Sequence, residues 1–136
     1  IAHHAPSAAD PAFWPLLLID AVLTGAKGLN LWSSFRTPPP QRSARLYRAL
    51  VEGRLASSVS GGLIPTADPF LYTISATARE GTPLEQVEQA AVAEIGRLAS
   101  DGVTAEELER AKTQMRARLV FENDSVTNIA HVEIQR

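Results

Sequence analysis

The stretch Arg45-Leu46-Tyr47-Arg48-Ala49-Leu50-Val51-Glu52-Gly53-Arg54-Leu55-Ala56-Ser57-Ser58-Val59-Ser60-Gly61-Gly62 decides the fold. Leu46 and Leu50 stand four residues apart, the spacing of one helix face, with Val51 beside them. The spacing predicts a helix that starts at Ser43 and ends near Gly53. Leu55 to Ser60 then reads as a strand of small residues, followed by Gly61-Gly62 as a flexible link. A helix that turns abruptly into a strand points to an α+β domain.

The residues downstream supply a partner for that strand. Phe70, Tyr72, Ile74, Ala76 and Ala78 alternate with Leu71, Thr73, Ser75 and Thr77, the period of two of a half-buried strand. Pro65, Asp68 and Pro69 give turn chemistry between the two runs, so an antiparallel hairpin is expected. Two helices follow. Thr82-Pro83-Leu84-Glu85 and Thr104-Ala105-Glu106-Glu107 both read as capping boxes. Leu84, Val87, Ala91, Ile95 and Leu98 form the apolar stripe of the first helix, which Gly102 ends. Leu108, Ala111, Met115 and Leu119 form that of the second. Asp124 is expected to cap a last helix through Val126, Ile129 and Val132.

Upstream, Ile1 to Ser7 reads as the end of a strand running into a loop. Asp10-Pro11 is a helix start, because Asp accepts from free amides and Pro suits the first helical position. Phe13, Leu16, Leu17, Ile19, Val22 and Leu23 follow, too apolar for an exposed helix, and Gly25 offers the stop. Residues 25–42 break the periodicity. Pro38-Pro39-Pro40 imposes an extended path on a long loop, which Leu29, Leu31, Trp32 and Phe35 anchor.

The chain has 136 residues, enough for one domain with its own core. It opens at Ile1 without a basic region or cleavage site, so no signal peptide is expected. No apolar run approaches a membrane span; Trp14 to Ile19 is cut short by Asp20. A soluble protein is expected, with the compartment (cytoplasmic or periplasmic) undetermined. Because the chain starts without Met, it is expected to be a piece of a longer polypeptide. The absence of cysteine excludes disulfides and thiolate chemistry. Net charge is −2, yet residues 1–54 carry +3 and residues 55–136 carry −5. A weakly acidic whole excludes the ordinary nucleic-acid binder.

Motifs for chemistry are scarce. The three histidines are His3, His4 and His131. His3 and His4 point to opposite sides if extended, and neither His-x-x-Glu-His nor His-Glu-x-x-His occurs, so no metal site is expected. Ser58-Val59-Ser60-Gly61-Gly62 lacks the first Gly of a nucleophile elbow. Gly25-Ala26-Lys27-Gly28 lacks phosphate-loop spacing. Glu106, Glu107 and Glu109 suit a helix N-terminus rather than a paired-acid site. Asn123-Asp124-Ser125 matches a glycosylation triplet, but Asp124 reads better as a cap. Arg36, Arg42, Arg45, Arg48 and Arg54 place five guanidinium groups within nineteen residues, opposed only by Glu52. A solvated helix face is the plainer account of them. A basic surface for acidic peptide segments, a phosphate or a partner is the functional one. Trp32 and Phe35 serve either as an interface anchor or as pins for the loop.

Taken in order, several segments resemble the pitrilysin/insulinase family of zinc metallopeptidases, over essentially the whole chain. They are Asp10-Pro11-Ala12-Phe13, Ile19-Asp20-Ala21-Val22-Leu23, Ser43-Ala44-Arg45-Leu46, Gly53-Arg54-Leu55-Ala56-Ser57-Ser58-Val59 and Gly102 to Lys112. The last resembles the family's Gly-Val, then Thr-x-x-Glu-Leu-x-x-Ala-Lys. The resemblance implies a two-layer sandwich with a mostly antiparallel sheet packed on helices. It also implies one domain over 1–136, incomplete at its C-terminal end. Family members pair a catalytic half bearing His-x-x-Glu-His with an inactive half of similar fold, around a chamber for an unfolded peptide. Lacking that motif, this chain resembles the inactive half: no cofactor of its own, zinc in the partner half, and a peptide as substrate.

Active members often place an Arg and a Tyr at the helix-to-strand junction, facing the substrate. Here Ser57 falls at the Tyr position and Val51 or Leu50 at the Arg position. Neither donates a comparable contact, so direct transition-state assistance is not expected and no residue is assigned a catalytic role. The expectation is therefore a non-catalytic domain of a zinc endopeptidase, inactive alone. The alternatives are a scaffold of the same fold without peptidase work, as in core subunits of respiratory complexes, and an unrelated α+β binding module using the arginine-rich loop.

Overall fold

A computed structural model describes residues 1–27 and 41–123. Among these residues three strands form one antiparallel sheet in the order β1-β3-β2: β1 (Ala2–Ala5), β2 (Ala56–Leu63) and β3 (Phe70–Ala78). The helices are α1 (Phe13–Leu23), a π-helical segment (Tyr47–Glu52), α2 (Leu84–Asp101) and α3 (Ala105–Asn123). This is the α+β architecture expected from the sequence, with the β2–β3 hairpin in place.

Cross-strand pairing explains which residues are covered. Gly61 pairs with Ile74 and Leu63 with Tyr72, on the face toward the helices. Tyr72, Ile74 and Leu63 are buried there. Ser58 pairs with Thr77, Ser60 with Ser75 and Gly62 with Thr73, on the opposite, polar face. Phe13, Leu46 and Leu50 are the largest fully buried side chains. Burying each stabilises the fold by about 1.5–3 kcal/mol. Helix α1 is well covered, as its apolar content requires, with Leu17, Ala21, Val22 and Leu23 in the core.

Four local expectations need correction. The helix after Ser43 is α-helical only at Arg45 and Leu46 and becomes π-helical from Tyr47. Its wide turns are visible in Gly53 N–H donating to Arg48 O at 3.1 Å and Leu55 N–H to Leu50 O at 2.8 Å. Strand β2 runs to Leu63, so Gly61 and Gly62 are strand residues rather than a link, because Leu63 is drawn into the core. Asp10 does cap with its side chain, accepting from Ala12 N–H at 2.8 Å, but it closes a turn before the helix, which starts at Phe13.

The fourth correction concerns the two capping boxes. At Thr82 the box does not form: Pro83 occupies the cap in extended conformation without a side-chain bond, so Glu85 sits too early in the helix to reach back. Leu84 is accordingly exposed rather than part of the stripe, which consists of the buried Val87, Ala91 and Leu98 with Ile95 partly buried against them. At Thr104 the box is complete. The hydroxyl accepts from Glu107 N–H at 3.2 Å, and Glu107 Oε2 accepts from Thr104 N–H at 3.0 Å. The loop expected to be anchored through Leu29, Leu31, Trp32 and Phe35, with Arg36 and Pro38-Pro39-Pro40, the helix expected from Asp124 with His131, and the Leu119 side chain lie outside the described residues.

Candidate functional site

The junction between the π-helical segment and β2 is built by close approach. Gly53 leaves the helix where any Cβ would stand 2.2 Å from Ala49 O, so only glycine fits. Arg54 follows with φ of 60°, the left-handed conformation, at a cost of about 1–2 kcal/mol for a residue with a side chain. The chain then enters β2 through a bulge. Ala56 pairs with Ala78 and Ser58 with Thr77, so Ser57 is the extra residue. Ser57 is exposed, and its hydroxyl donates to Thr77 O at 3.2 Å, bridging the bulge. Leu50 is fully buried and Val51 half-buried. Of the two residues that compete for the position of the family's Arg, Val51 is therefore the one with access to solvent.

The arginines separate into different roles. Arg45 Nε and Nη2 donate to Glu107 Oε1 and Oε2, each at 2.7 Å, and Nη2 also donates to Gly102 O at 3.0 Å. Arg45 thus ties the start of the π-bearing helix to the α2–α3 turn. The Arg45 guanidinium, followed by the Thr104 cap bonds, draws the Glu107 carboxyl down to about 2 against partial burial, and the same contact raises Arg45. Arg42, Arg48 and Arg54 are exposed, and Arg48 Nη2 donates to Ser43 O at 3.3 Å. Arg36 lies outside the described residues.

A second polar cluster escaped the sequence reading. Asp20 is 2 % exposed on the apolar helix α1. Its Oδ1 accepts from Tyr72 OH at 2.9 Å and Thr24 Oγ1 at 2.6 Å, and its Oδ2 accepts from Lys27 Nζ at 2.7 Å. Lys27 Nζ also donates to Thr24 Oγ1 at 2.6 Å. Burial, then the Asp20 charge, pushes the Tyr72 phenol well above its ordinary value, so it acts only as a donor. Beside the cluster, Gln41 closes the base of the loop: its Nε2 donates to Ala26 O at 2.7 Å and its Oε1 accepts from Ala26 N–H at 3.1 Å. The one available signal was a lone carboxylate within the run Leu16 to Leu23, a position that requires paired donors.

No cluster of three His, Cys, Asp or Glu able to hold a metal exists among the described residues. His3 and His4 are adjacent on β1, so their rings lie on opposite faces of the sheet and do not converge on one ion. A shallow indentation is lined by Ala21, Val22, Ser43, Glu107, Arg110, Ala111 and Gln114; its charged groups are engaged in ion pairs, Glu107 with Arg45 and Arg110 with Glu106. Other accessible features include β2, at one end of the sheet formed by the described residues, the hydroxyl-lined sheet face, and exposed apolar side chains such as Trp14 and Phe70. No helix among the described residues is long and apolar enough to cross a membrane.

Comparison with known proteins places this geometry. A search of curated protein sequences gave no match. Among solved structures, the chain is similar to a candidate zinc protease from Bordetella pertussis Tohama I, with 27% identity and a TM-score of 0.73 over 96% of this chain and 64% of the other. It is also similar to the inactive peptidase domain of a candidate zinc protease from Bordetella parapertussis, with 27% identity and a TM-score of 0.71 over 96% and 63% of the two chains. A protease from Helicobacter pylori shares the fold, with 18% identity and a TM-score of 0.78 over 96% of this chain and 28% of its own. The chain therefore spans less than two thirds of each of these relatives. The profile of the Peptidase M16 inactive domain matches residues 1–115. The chain belongs to the M16 peptidase family, as an example of its inactive domain.

Proposed function

We propose that this chain forms one wall of the substrate chamber of a zinc endopeptidase, with zinc and the catalytic residues carried by a partner half. Membership of the inactive-domain family carries the reading. The domain would extend through all 136 residues and continue beyond them. Its contribution would be shape. Strand β2 offers an end of the sheet to an extended peptide, and its small residues Ser57, Ser58 and Ser60 let a second backbone approach. Val51 and Ser57 flank that approach from the junction. Arg42, Arg48 and Arg54 would supply a basic rim for acidic peptide segments; Arg45, engaged by Glu107, would act on that rim only through the position of its helix.

The test mixes this chain with a polypeptide bearing His-x-x-Glu-His from the same assembly. Alone, the chain is expected neither to hold stoichiometric zinc nor to cleave peptides; the mixture is expected to do both. Within the active mixture, Ser57→Trp is expected to raise KM for peptide by about fivefold, about 1 kcal/mol of lost binding, with the zinc content unchanged. One equivalent of zinc with hydrolysis by the isolated chain overturns the assignment. An assembled complex that holds no zinc and cleaves nothing favours the scaffold.

A further inference from the structure

We propose that the buried Asp20–Thr24–Lys27–Tyr72 cluster is a register gauge: it fixes strand β2 in one alignment by accepting only a residue without a Cβ opposite it. Strand β2 reads Ala56-Ser57-Ser58-Val59-Ser60-Gly61-Gly62-Leu63, mostly small residues on both faces. Such strands specify their pairing weakly, and a slip of one residue exchanges the two faces. Something other than the apolar pattern must distinguish the alignments.

Gly61 supplies that distinction. A Cβ there would stand 2.2 Å from Asp20 Oδ1, 2.5 Å from Thr24 Oγ1 and 3.0 Å from Lys27 Nζ. The two nearest atoms are held in place: Asp20 Oδ1 accepts from Thr24 Oγ1 and Tyr72 OH, while Thr24 Oγ1 also accepts from Lys27 Nζ, itself bonded to Asp20 Oδ2. A slip of one residue in one direction brings Ser60 onto the cluster, and a slip of two brings Val59 or Leu63. Each carries a Cβ into the same atoms. The remaining slip brings Gly62, which the cluster tolerates, but it turns Leu63 away from the covered face where it is buried. One alignment satisfies both conditions, and it is the observed pairing of Gly61 with Ile74. The cluster thereby also fixes where the bulge at Ser57 falls. This inference rests on geometry alone and holds whether or not the domain walls a peptidase chamber.

The experiment uses the 136-residue chain and compares Gly61→Ala in two backgrounds: native, and Asp20→Ala with Lys27→Met, in which the carboxylate is gone and the ammonium no longer needs it. Urea denaturation gives the folding equilibrium constant of each. In the native background Gly61→Ala is expected to lower that constant by about a hundredfold, the scale of overpacking a filled site. In the altered background the same methyl fills vacated space and is expected to cost less than about threefold, or to stabilise. If the native-background variant does not fold at all, recovery of folding in the altered background is the expected result. Gly62→Ala, whose Cβ would meet only the Thr73 hydroxyl, at 2.7 Å, is the control and is expected to cost the same in both. Amide exchange across Ser58 to Leu63 is expected to accelerate in Lys27→Met by at least about tenfold more than exchange at the β1–β3 amides, which follows only the global loss of stability. An equal cost of Gly61→Ala in the two backgrounds overturns the proposal, as does uniform acceleration across all three strands.

Discussion

Two ion pairs of the same length do different work in this domain. Asp20–Lys27 and Arg45–Glu107 both close at 2.7 Å. The first joins residues seven apart and lies beneath the sheet, with the carboxylate side chain 3% exposed. The second joins residues 62 apart at the rim of the core, with both side chains partly wet. The difference teaches that geometry alone does not rank an ion pair. The Asp20 carboxylate, which water cannot reach, depends wholly on its donors, while a charge at the rim recovers some hydration when its partner is lost.

The largest expected effect is therefore at the first pair. Lys27→Met leaves the Asp20 carboxylate beneath the sheet with only Thr24 and Tyr72 as donors. A loss of about 3–5 kcal/mol is expected, the scale of an uncompensated buried charge, read from the urea midpoint. The comparison breaks if this loss is no greater than that of Arg45→Ala. For Arg45→Ala, about 1.5–3 kcal/mol is expected, the scale of hydrogen bonds to a charged group.

The pH dependence sharpens the same contrast. Glu107 titrates at about 2 in the folded chain against an ordinary 4.5. Because its folded value is depressed, its contribution is complete above about 4.5 and disappears as pH falls toward about 2. Unfolding midpoints measured across that window should fall with acid in the native chain. They should fall less steeply in Glu107→Gln. Parallel curves would show that the Arg45 contact stabilises no ionised form.

Much of this fold is legible in the residues, and what was missed shares one cause. The period of two from Phe70 to Ala78 gave β3 and its hairpin with β2 directly, although only Tyr72 and Ile74 of the alternate set are buried, while Phe70 and Ala76 stay exposed. The apolar excess of α1 gave its cover in the same way. The π-helical segment was invisible, since its five-residue bonds leave the spacing of Leu46 and Leu50 unaltered. Asp20 alone signalled a buried polar site; its partners were hidden because Thr24, Lys27, Gly61 and Tyr72 come from the turn after α1 and two strands. Gly61 read as a link for the same reason: the need for glycine comes from a carboxylate 41 positions away in the chain, not from its neighbours. The arginine run shows the converse error. Proximity in sequence suggested a common face, whereas Arg45 turns inward to a carboxylate that no local pattern connects to it.

The smallest expected effect separates two segments that look alike in sequence. Thr82-Pro83-Leu84-Glu85 and Thr104-Ala105-Glu106-Glu107 both carry Thr with Glu three residues on. Only the second closes into a reciprocal pair of bonds, because only there does the helix begin directly after the Thr. Pro83 holds the first cap in extended conformation and moves the helix start one residue later. Thr104→Ala is thus expected to cost about 1 kcal/mol, the scale of a lost cap. The loss exposes a coupling too, since Glu107 is shared between the cap and Arg45; Thr104→Ala in an Arg45→Ala background should cost less than in the native chain. Thr82→Ala is expected to stay within about 0.5 kcal/mol of native stability, as a surface change without a partner. Equal losses at the two threonines would mean that helix propensity, not the reciprocal bonds, sets the strength of these starts. The Arg45–Glu107 tie would then be independent of the cap it shares.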